Sequence, residues 1–312
     1  MPCCSLQVQA IRIYQYGNAG NLRLEDVPPL SISDYQILVR VHDAGVNPID
    51  WKIREGYLQK VMPVSFPLTI GQDFAGEVAE RGKNVKRFEI GERVFGFTQA
   101  AYAEYAAATE STVAAMPELI NFATAAALPT AGLTALQVIR DVALALPGMT
   151  ILIHGAAGGV GSFASQIAKN YGAKVIGTAS GDDIEYLKSL RIDDIIDYKR
   201  ERFEDRVSGL DAVVDLVGGE TLARSYPLVK RGGVLVTTVQ PIDASVANRA
   251  GIRAVQLVMK RNAADLAEIA ALVAKGVLQP RIAQTMPLSE ARNAQELSET
   301  GRTHGKVILK VA

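Results

Sequence analysis

HGAAGGVG, residues His154 to Gly161, follows the apolar run Met149 to Ile153 and precedes the helix-like stretch Ser162 to Tyr171. A strand, a glycine turn and a helix start, in that order, are what a dinucleotide site requires. Gly158 lets the chain pass close to a pyrophosphate, with Gly159 and Val160 beside it, and Gly161 lets the helix lie against its strand. The helix N-terminus offers unpaired N–H groups and a positive dipole end to the phosphates. Ala156 stands where the usual G-x-G-x-x-G has its first glycine, so the motif is imperfect and its context carries the inference. A second apolar strand, Lys174 to Thr178, arrives at the spacing of a βαβ unit of roughly 30 residues, as a right-handed crossover requires. A plain structural βα turn is the alternative.

With 312 residues the chain exceeds what one core usually organises, and two domains are expected. Thirty-three basic and 33 acidic residues cancel to a formal net charge of zero, which offers no broad basic field and argues against nucleic acid as a partner. Cys3 and Cys4 are adjacent near the N-terminus, where they can build neither a disulfide framework nor a metal cage; they read as two surface thiols in a reducing cytoplasm. No basic segment with a following apolar core opens the chain, so no signal peptide is expected. The long uncharged stretch Leu119 to Ile139 is interrupted by Pro129 and Gly132 and reads as buried helices separated by a turn, not as a membrane span.

Residues 1–120 carry short β-like runs (Gln9 to Tyr14, Gln36 to Ala44, Gly76 to Ala79, Arg93 to Phe97, Ala101 to Ala107) separated by Gly, Pro and Asn, the pattern of a compact, mostly β domain. Over 121–274 helices alternate with six strand-like runs: Ile151 to His154, Lys174 to Thr178, Asp194 to Asp197, Ala212 to Leu216, Gly233 to Val239 and Ala254 to Met259. This predicts an α/β fold with a doubly wound parallel sheet of the Rossmann type. An amphipathic helix, Ala263 to Ala274, ends that region. The tail 275–312 resumes short strands, including Lys306 to Val311, and is expected to complete the first domain.

Six ordered motifs span nearly the whole chain: AGVNPIDWKIREG (Ala44 to Gly56), GQDFAGEV (Gly71 to Val78), GERVFGF (Gly91 to Phe97), HGAAGGVG, DLVGG (Asp215 to Gly219) and HGKVIL (His304 to Leu309). Together they resemble the zinc-independent quinone oxidoreductase branch of the medium-chain dehydrogenase/reductase superfamily. The resemblance implies a GroES-like β domain holding substrate, a Rossmann domain holding NADPH, a cleft for hydride transfer, and a homodimer. It does not identify the substrate, because the fold serves many reductions. Zinc dehydrogenases of the superfamily present Cys, His and Cys to a catalytic metal; by resemblance the matching positions here are Asn47, Gln72 and Ala131, and the loop after Gly91 lacks the structural-zinc cysteines. Asp50 and Asp73 do not replace a Cys/His set, so no zinc is expected. Without a Lewis acid an already electrophilic acceptor, a quinone or α,β-unsaturated carbonyl, suits the site better than an alcohol or simple ketone. Its proton would come from water or a weak acid.

By resemblance Asn47 faces the nicotinamide and the substrate oxygen, although an Asn before Pro is also an ordinary turn former. Tyr57 either donates to a substrate carbonyl or packs as an aromatic. Trp51 reads as core or wall of the substrate cleft, and Gln72 as a substrate contact or a structural hydrogen bond. His154 reads as a satisfied buried histidine before it reads as a catalyst, and His42 and His304 show no sign of a dyad. Thr130, in LPTAGLTA, matches the segment beside the nicotinamide carboxamide, with a helix N-cap as the competing role. Val217, Gly218, Thr238 and Val239 end predicted strands at the edge where dinucleotides lie, and are candidate cofactor walls.

NADPH is favoured over NADH because the end of the second strand, Ala179 and Ser180, carries no carboxylate to bond a ribose 2′-hydroxyl. Ser180 can donate to a 2′-phosphate, and Tyr198, Lys199 and Arg200 supply further contacts, with Tyr198 against the adenosine by resemblance. The family's phosphate-binding lysine is missing, since Ile184 stands near its place. Asp182 and Asp183 disfavour the phosphate if they turn inward, and are benign if they face solvent in the first turn of the helix ending near Leu190. Rival readings are a non-catalytic NAD(P)-binding protein of the crystallin or regulatory kind, an RNA-binding role, and a zinc dehydrogenase with unusual ligands.

Overall fold

A computed structural model describes residues 7–312, apart from the side chain of Asp182; Cys3 and Cys4 lie outside the described residues. Two compact units divide the chain. The first runs through Thr130 and takes in Arg261–Ala274 and Pro280–Ala312, and the second is Ala131–Lys260 with Lys275–Gln279.

The first unit begins with strands β1 (Val8–Ile13), β2 (Arg23–Val27), β3 (Gln36–Val46), β4 (Leu68–Thr69), β5 (Asp73–Arg81), β6 (Arg93–Phe97), β7 (Tyr105–Thr109) and β8 (Val113–Ala115). Strands β2, β1 and β4 form a small antiparallel sheet. In the long strand β3, Ile37, Val39 and Val41 point to one face, as the two-residue period of a strand requires, and meet Phe74, Val78 and Val94 in the core. β3 leads into the helix Pro48–Arg54. Asn47 takes the N-cap position, Pro48 the first helical position, and the Asp50 carboxylate accepts the Asn47 backbone N–H at 2.8 Å. The expected strand Ala101 to Ala107 is shifted: Ala103 makes only an isolated bridge to Ala10, and regular pairing with β3 starts at Tyr105.

The second unit holds β9 (Thr150–His154), β10 (Lys174–Ala179), β11 (Asp194–Asp197), β12 (Leu210–Asp215), β13 (Val229–Thr237) and β14 (Arg253–Gln256). All pairings are parallel and the order is β11-β10-β9-β12-β13-β14. That order reverses direction beside β9, and in such sheets the crevice at the C-terminal edge of the reversal holds the ligand. The predicted ends of three strands move: β12 stops at Asp215, β13 starts at Val229 and stops at Thr237, and β14 stops at Gln256. The uncharged stretch forms the helices Phe122–Ala126 and Pro129–Leu136, followed by a π-helical turn, Gln137–Ala143. Pro129 opens the second of these helices instead of breaking it, because a missing N–H is harmless in the first turn. Among the described residues no helix is long and apolar enough to cross a membrane.

The tail returns as β15 (Ile282–Pro287) and β16 (Lys306–Lys310), and β16 pairs antiparallel with β3 to give the order β15-β16-β3-β5-β6-β8, with β7 on β3. The helix Ala263–Ala274, expected with the Rossmann region, packs on β8 of the first unit. Its apolar stripe demands a sheet to cover, but periodicity alone does not say which one.

Candidate active site

The glycine turn sits at the C-terminal end of β9 and runs into the helix Gly159–Asn170, which starts three residues earlier than expected. Gly155 supplies the left-handed residue, with φ +69°. That explains how Ala156 is tolerated: its methyl group lies against Gly177 of β10, where a Cβ would sit 2.9 Å away. The two remaining glycines of the motif differ in kind. A Cβ on Gly161 would stand 2.1 Å from the Gly155 carbonyl oxygen, so this glycine is demanded by packing of the turn on its own helix. At Gly158 the added atom would meet only that same oxygen, at 3.3 Å, and φ is an unstrained −70°. Apart from that tight contact no other described atom stands within 4 Å of the added Cβ, so the helix N-terminus beside Gly158 is a cradle fit for a phosphate.

Beside the turn, His154 is 1% exposed. The Ser225 hydroxyl donates to the Thr221 carbonyl at 2.6 Å, so it accepts from His154 Nε2 at 3.0 Å; Nδ1 then accepts from the Thr178 hydroxyl at 3.1 Å. Burial, with help from the Arg224 charge, holds this imidazole neutral with a pKa lowered to about 4. His154 is a structural bridge between β9, β10 and the helix Gly219–Ser225.

The candidate cofactor walls are held by a residue that sequence reasoning passed over. Asp215 is fully buried, and its carboxylate accepts from Val217 N, from Gly218 N and, at 2.9 Å, from the Thr237 hydroxyl. It thereby ties the ends of β12 and β13 together and sets the path of Val217, Gly218, Thr238 and Val239, which lie just beyond those ends. Val217 and Val239 are exposed, and Gly218 has φ +81°. At the end of β10, Ser180 is half-buried and carries no side-chain cap bond. Tyr198 donates its backbone N–H to Ala179 while its ring is exposed. The neighbouring Asp197 carboxylate is buried and faces the Lys199 N–H at 3.1 Å and Arg200 at 3.5 Å.

The first unit gathers a second group of candidates into a buried polar cluster. Asn47, Asp50, Asp73, Tyr102 and Lys306 are all buried. Asp50 accepts from Asn47 N and from the Tyr102 hydroxyl at 2.9 Å, while its other oxygen has no hydrogen-bond partner among the described residues. Asp73 accepts from the Thr130 backbone N–H at 3.0 Å and from the Thr130 hydroxyl at 2.6 Å. The Lys306 ammonium donates to the Val46 carbonyl at 3.1 Å and to the Asn47 side-chain oxygen. Because an ammonium only donates, it turns the Asn47 carbonyl toward itself, and the amide nitrogen on the other side donates to the Gly45 carbonyl at 3.4 Å and hydrogen-bonds the Asp73 carboxylate. Burial pushes Asp50 up to about 7 and also raises Asp73, which Lys306 and Thr130 oppose; burial lowers Lys306, which Asp73 and Asp50 oppose. Gln72 accepts a hydrogen bond from the Arg261 guanidinium, which also lies over the Phe97 ring at 5.0 Å.

Tyr57 is 69% exposed and packs edge-on to Trp51 at 5.9 Å, so its hydroxyl is open to solvent. His42 stacks on Phe122 and lies 3.6 Å from Glu77. Among the described residues no group of three or more His, Cys, Asp and Glu side chains is placed to hold a metal ion. Lys306 and Arg261 were not singled out from the sequence. The signal for Lys306 was a charge inside a strand whose other inner positions are apolar; Arg261 left none.

The alcohol dehydrogenase GroES-like domain family matches residues 33–118, and the zinc-binding dehydrogenase family matches residues 190–309. The quinone oxidoreductase of Mus musculus is 32% identical, over 97% of both chains. The quinone oxidoreductase structure from Coxiella burnetii superimposes with a TM-score of 0.91 at 38% identity, covering 98% of this chain and all of that one. The Escherichia coli quinone oxidoreductase complexed with NADPH gives 0.88 at 28% identity, covering 97% of this chain and all of the other. With its parallel six-stranded sheet, its GroES-like unit and these relatives, the chain belongs to the quinone oxidoreductase branch of the medium-chain dehydrogenase/reductase superfamily.

Proposed function

We propose that the protein reduces quinones or α,β-unsaturated carbonyls with NADPH and without zinc. The observation that carries this reading is the cradle at Gly158: a glycine with an unstrained backbone, whose added Cβ would meet one atom only, the Gly155 oxygen at a tight 3.3 Å, at the N-terminus of the first helix of a parallel sheet. A bound reduced nicotinamide supplies the hydride. The chain's own residues bind and orient. Gly158, Gly159 and Val160 receive the pyrophosphate, Val217, Gly218, Thr238 and Val239 wall the dinucleotide, and Asn47 is assigned to the nicotinamide and the substrate oxygen by family resemblance. Thr130 is assigned to the nicotinamide side by family resemblance, and its hydroxyl is oriented by Asp73.

Zinc independence is supported by the residue types at the matching positions, Asn47, Gln72 and Ala131, none of which is a soft ligand. Preference for NADPH is supported by the uncharged end of β10 and by Ser180, Tyr198, Lys199 and Arg200 around it; Asp183, which is buried instead of facing solvent and bonds Ser180 through its N–H, and the buried Asp197 are the acids that weigh against it. Tyr57 and Trp51 are assigned to the mouth of the substrate site, and the functional form to a cytoplasmic homodimer. The test is oxidation of reduced nicotinamide in the presence of small quinones, conjugated enones, alcohols and simple ketones, with kcat/KM compared for NADPH and NADH. Dominant alcohol oxidation would refute the acceptor class. A preference for NADH of about tenfold, 1.4 kcal/mol, would reverse the cofactor assignment, and activity abolished by a chelator would refute zinc independence.

A further inference from the structure

Arg261 is the cation of the first unit's polar cluster that is not enclosed. Lys306 is 5% exposed and its ammonium is committed to Val46 and Asn47, whereas Arg261 is only partly buried. The guanidinium is held on two sides, by the Gln72 side-chain oxygen and by the face of Phe97. Its backbone is held as well, since Asn262 caps the following helix by accepting the Asp265 N–H at 2.7 Å. Among the described residues the guanidinium has this one hydrogen-bond acceptor. A guanidinium carries five N–H donors in a fixed fork, so most of its capacity faces away from the protein's own acceptors. The Asp73 carboxylate, joined by Asp50 where the pH is above about 7, keeps a compensating negative charge close by, which makes a partly desolvated cation tolerable there.

We propose that Arg261 is a catalytic residue of the reduction, its free N–H groups hydrogen-bonding the carbonyl oxygen of a conjugated acceptor. The proposal rests on the reductase reading above. As hydride adds to the far carbon of the enone, the C=C electron pair moves toward the oxygen and an enolate forms. Negative charge then gathers where the guanidinium donors point. Water supplies the proton that closes the α-carbon, and the hydroxide left behind is taken up by solvent. A guanidinium stays charged at all working pH values, so Arg261 acts by fixed charge and orientation and not as the proton donor. Gln72 and Phe97 are its positioning residues.

The experiment compares wild type with Arg261→Met, Arg261→Lys and Arg261→Ala, using a small enone and saturating NADPH. Removing one donor of this kind costs about 10²–10³ in kcat. Arg261→Met should therefore lose about a hundredfold or more in kcat while NADPH affinity, titrated separately, stays unchanged. Arg261→Lys should keep an intermediate rate. Guanidinium ion at sub-denaturing concentration should raise the rate of Arg261→Ala, and sodium chloride at the same ionic strength should not. This rescue serves as the deciding readout if the methionine variant folds poorly. An unchanged kcat in Arg261→Met, a loss confined to NADPH affinity, or absence of guanidinium rescue overturns the proposal. Wild type inactive toward every quinone and enone would instead refute the reductase reading on which it rests.

Discussion

Replacing each of the two remaining motif glycines separates what the fold demands from what a cofactor demands. In Gly161→Ala the new methyl would lie 2.1 Å from the Gly155 oxygen and 2.8 Å from the Ala156 Cα, both backbone atoms. Neither can swing aside, so the turn must part from its helix by about an ångström. Overpacking of this sort costs about 1–3 kcal/mol, and a backbone contact belongs at the upper end. At about 2–4 °C per kcal/mol for a domain this large, the unfolding midpoint should fall by roughly 6–12 °C. In Gly158→Val the nearest backbone atom is 3.3 Å from the new Cβ, and φ −70° suits any residue. The stability cost there is about 1–2 kcal/mol, from a poor N-cap residue and from the tight contact of the new Cβ with the Gly155 oxygen. Cofactor affinity should nevertheless fall by about a hundredfold or more, about 2.7 kcal/mol, because the branched side chain fills the phosphate cradle. Thermal unfolding without cofactor and titration with NADPH read the two effects independently. A stable Gly161→Ala would refute the packing argument, and a folded Gly158→Val with wild-type NADPH affinity would refute the cradle.

Three further outcomes follow from the buried polar groups. Asp50 has a folded pKa raised from 3.8 to about 7, so the folded state keeps a proton that the unfolded state releases, and stability falls as pH rises between those values. Asp50→Asn, whose amide oxygen can still accept from Asn47 and Tyr102, should therefore gain on wild type by a few kcal/mol (order of magnitude) between about pH 5 and pH 8.5; equal stability differences at both pH values would contradict this. His154 runs the other way: with its pKa lowered from 6.5 to about 4, its contribution is present above 6.5 and lost as the unfolded state protonates first on acidification. Denaturant unfolding should show wild type losing about 3 kcal/mol more than His154→Gln between about pH 7 and pH 4, and parallel curves would sink the neutral-histidine assignment. Asp215→Ala leaves two backbone N–H groups and the Thr237 hydroxyl without their acceptor, which should cost about 2–4 kcal/mol and weaken NADPH binding; Asp215→Asn should recover part of both, and an undiminished alanine variant would show that the strand ends hold themselves.

The β9 strand, the glycine turn and the helix after it were legible because their signals are local: an apolar run, a left-handed glycine and a 3.6-residue period all lie within about 20 residues. The same holds for the five other parallel strands; the helix start at Asn47, Pro48 and Asp50 is equally local, with a cap and its partner three residues apart, but the sequence reading takes Asn47 only as a contact or a turn former and misses the helix. The substitution of Ala156 for glycine was visible, but its harmlessness was not, since that depends on Gly177 one strand away. What tertiary structure alone decided is pairing over long separations. Asp73 meets Thr130 across 57 residues, Gln72 meets Arg261 across 189, and Asn47 meets Lys306 across 259. Nothing in the periodicity of either partner encodes the other, because a buried charge states only that it needs a counterpart, not where along the chain that counterpart lies. The helix Ala263–Ala274 shows the same division: its amphipathic face was written in its own residues, and the choice of β8 as the surface to cover was made by the packed fold.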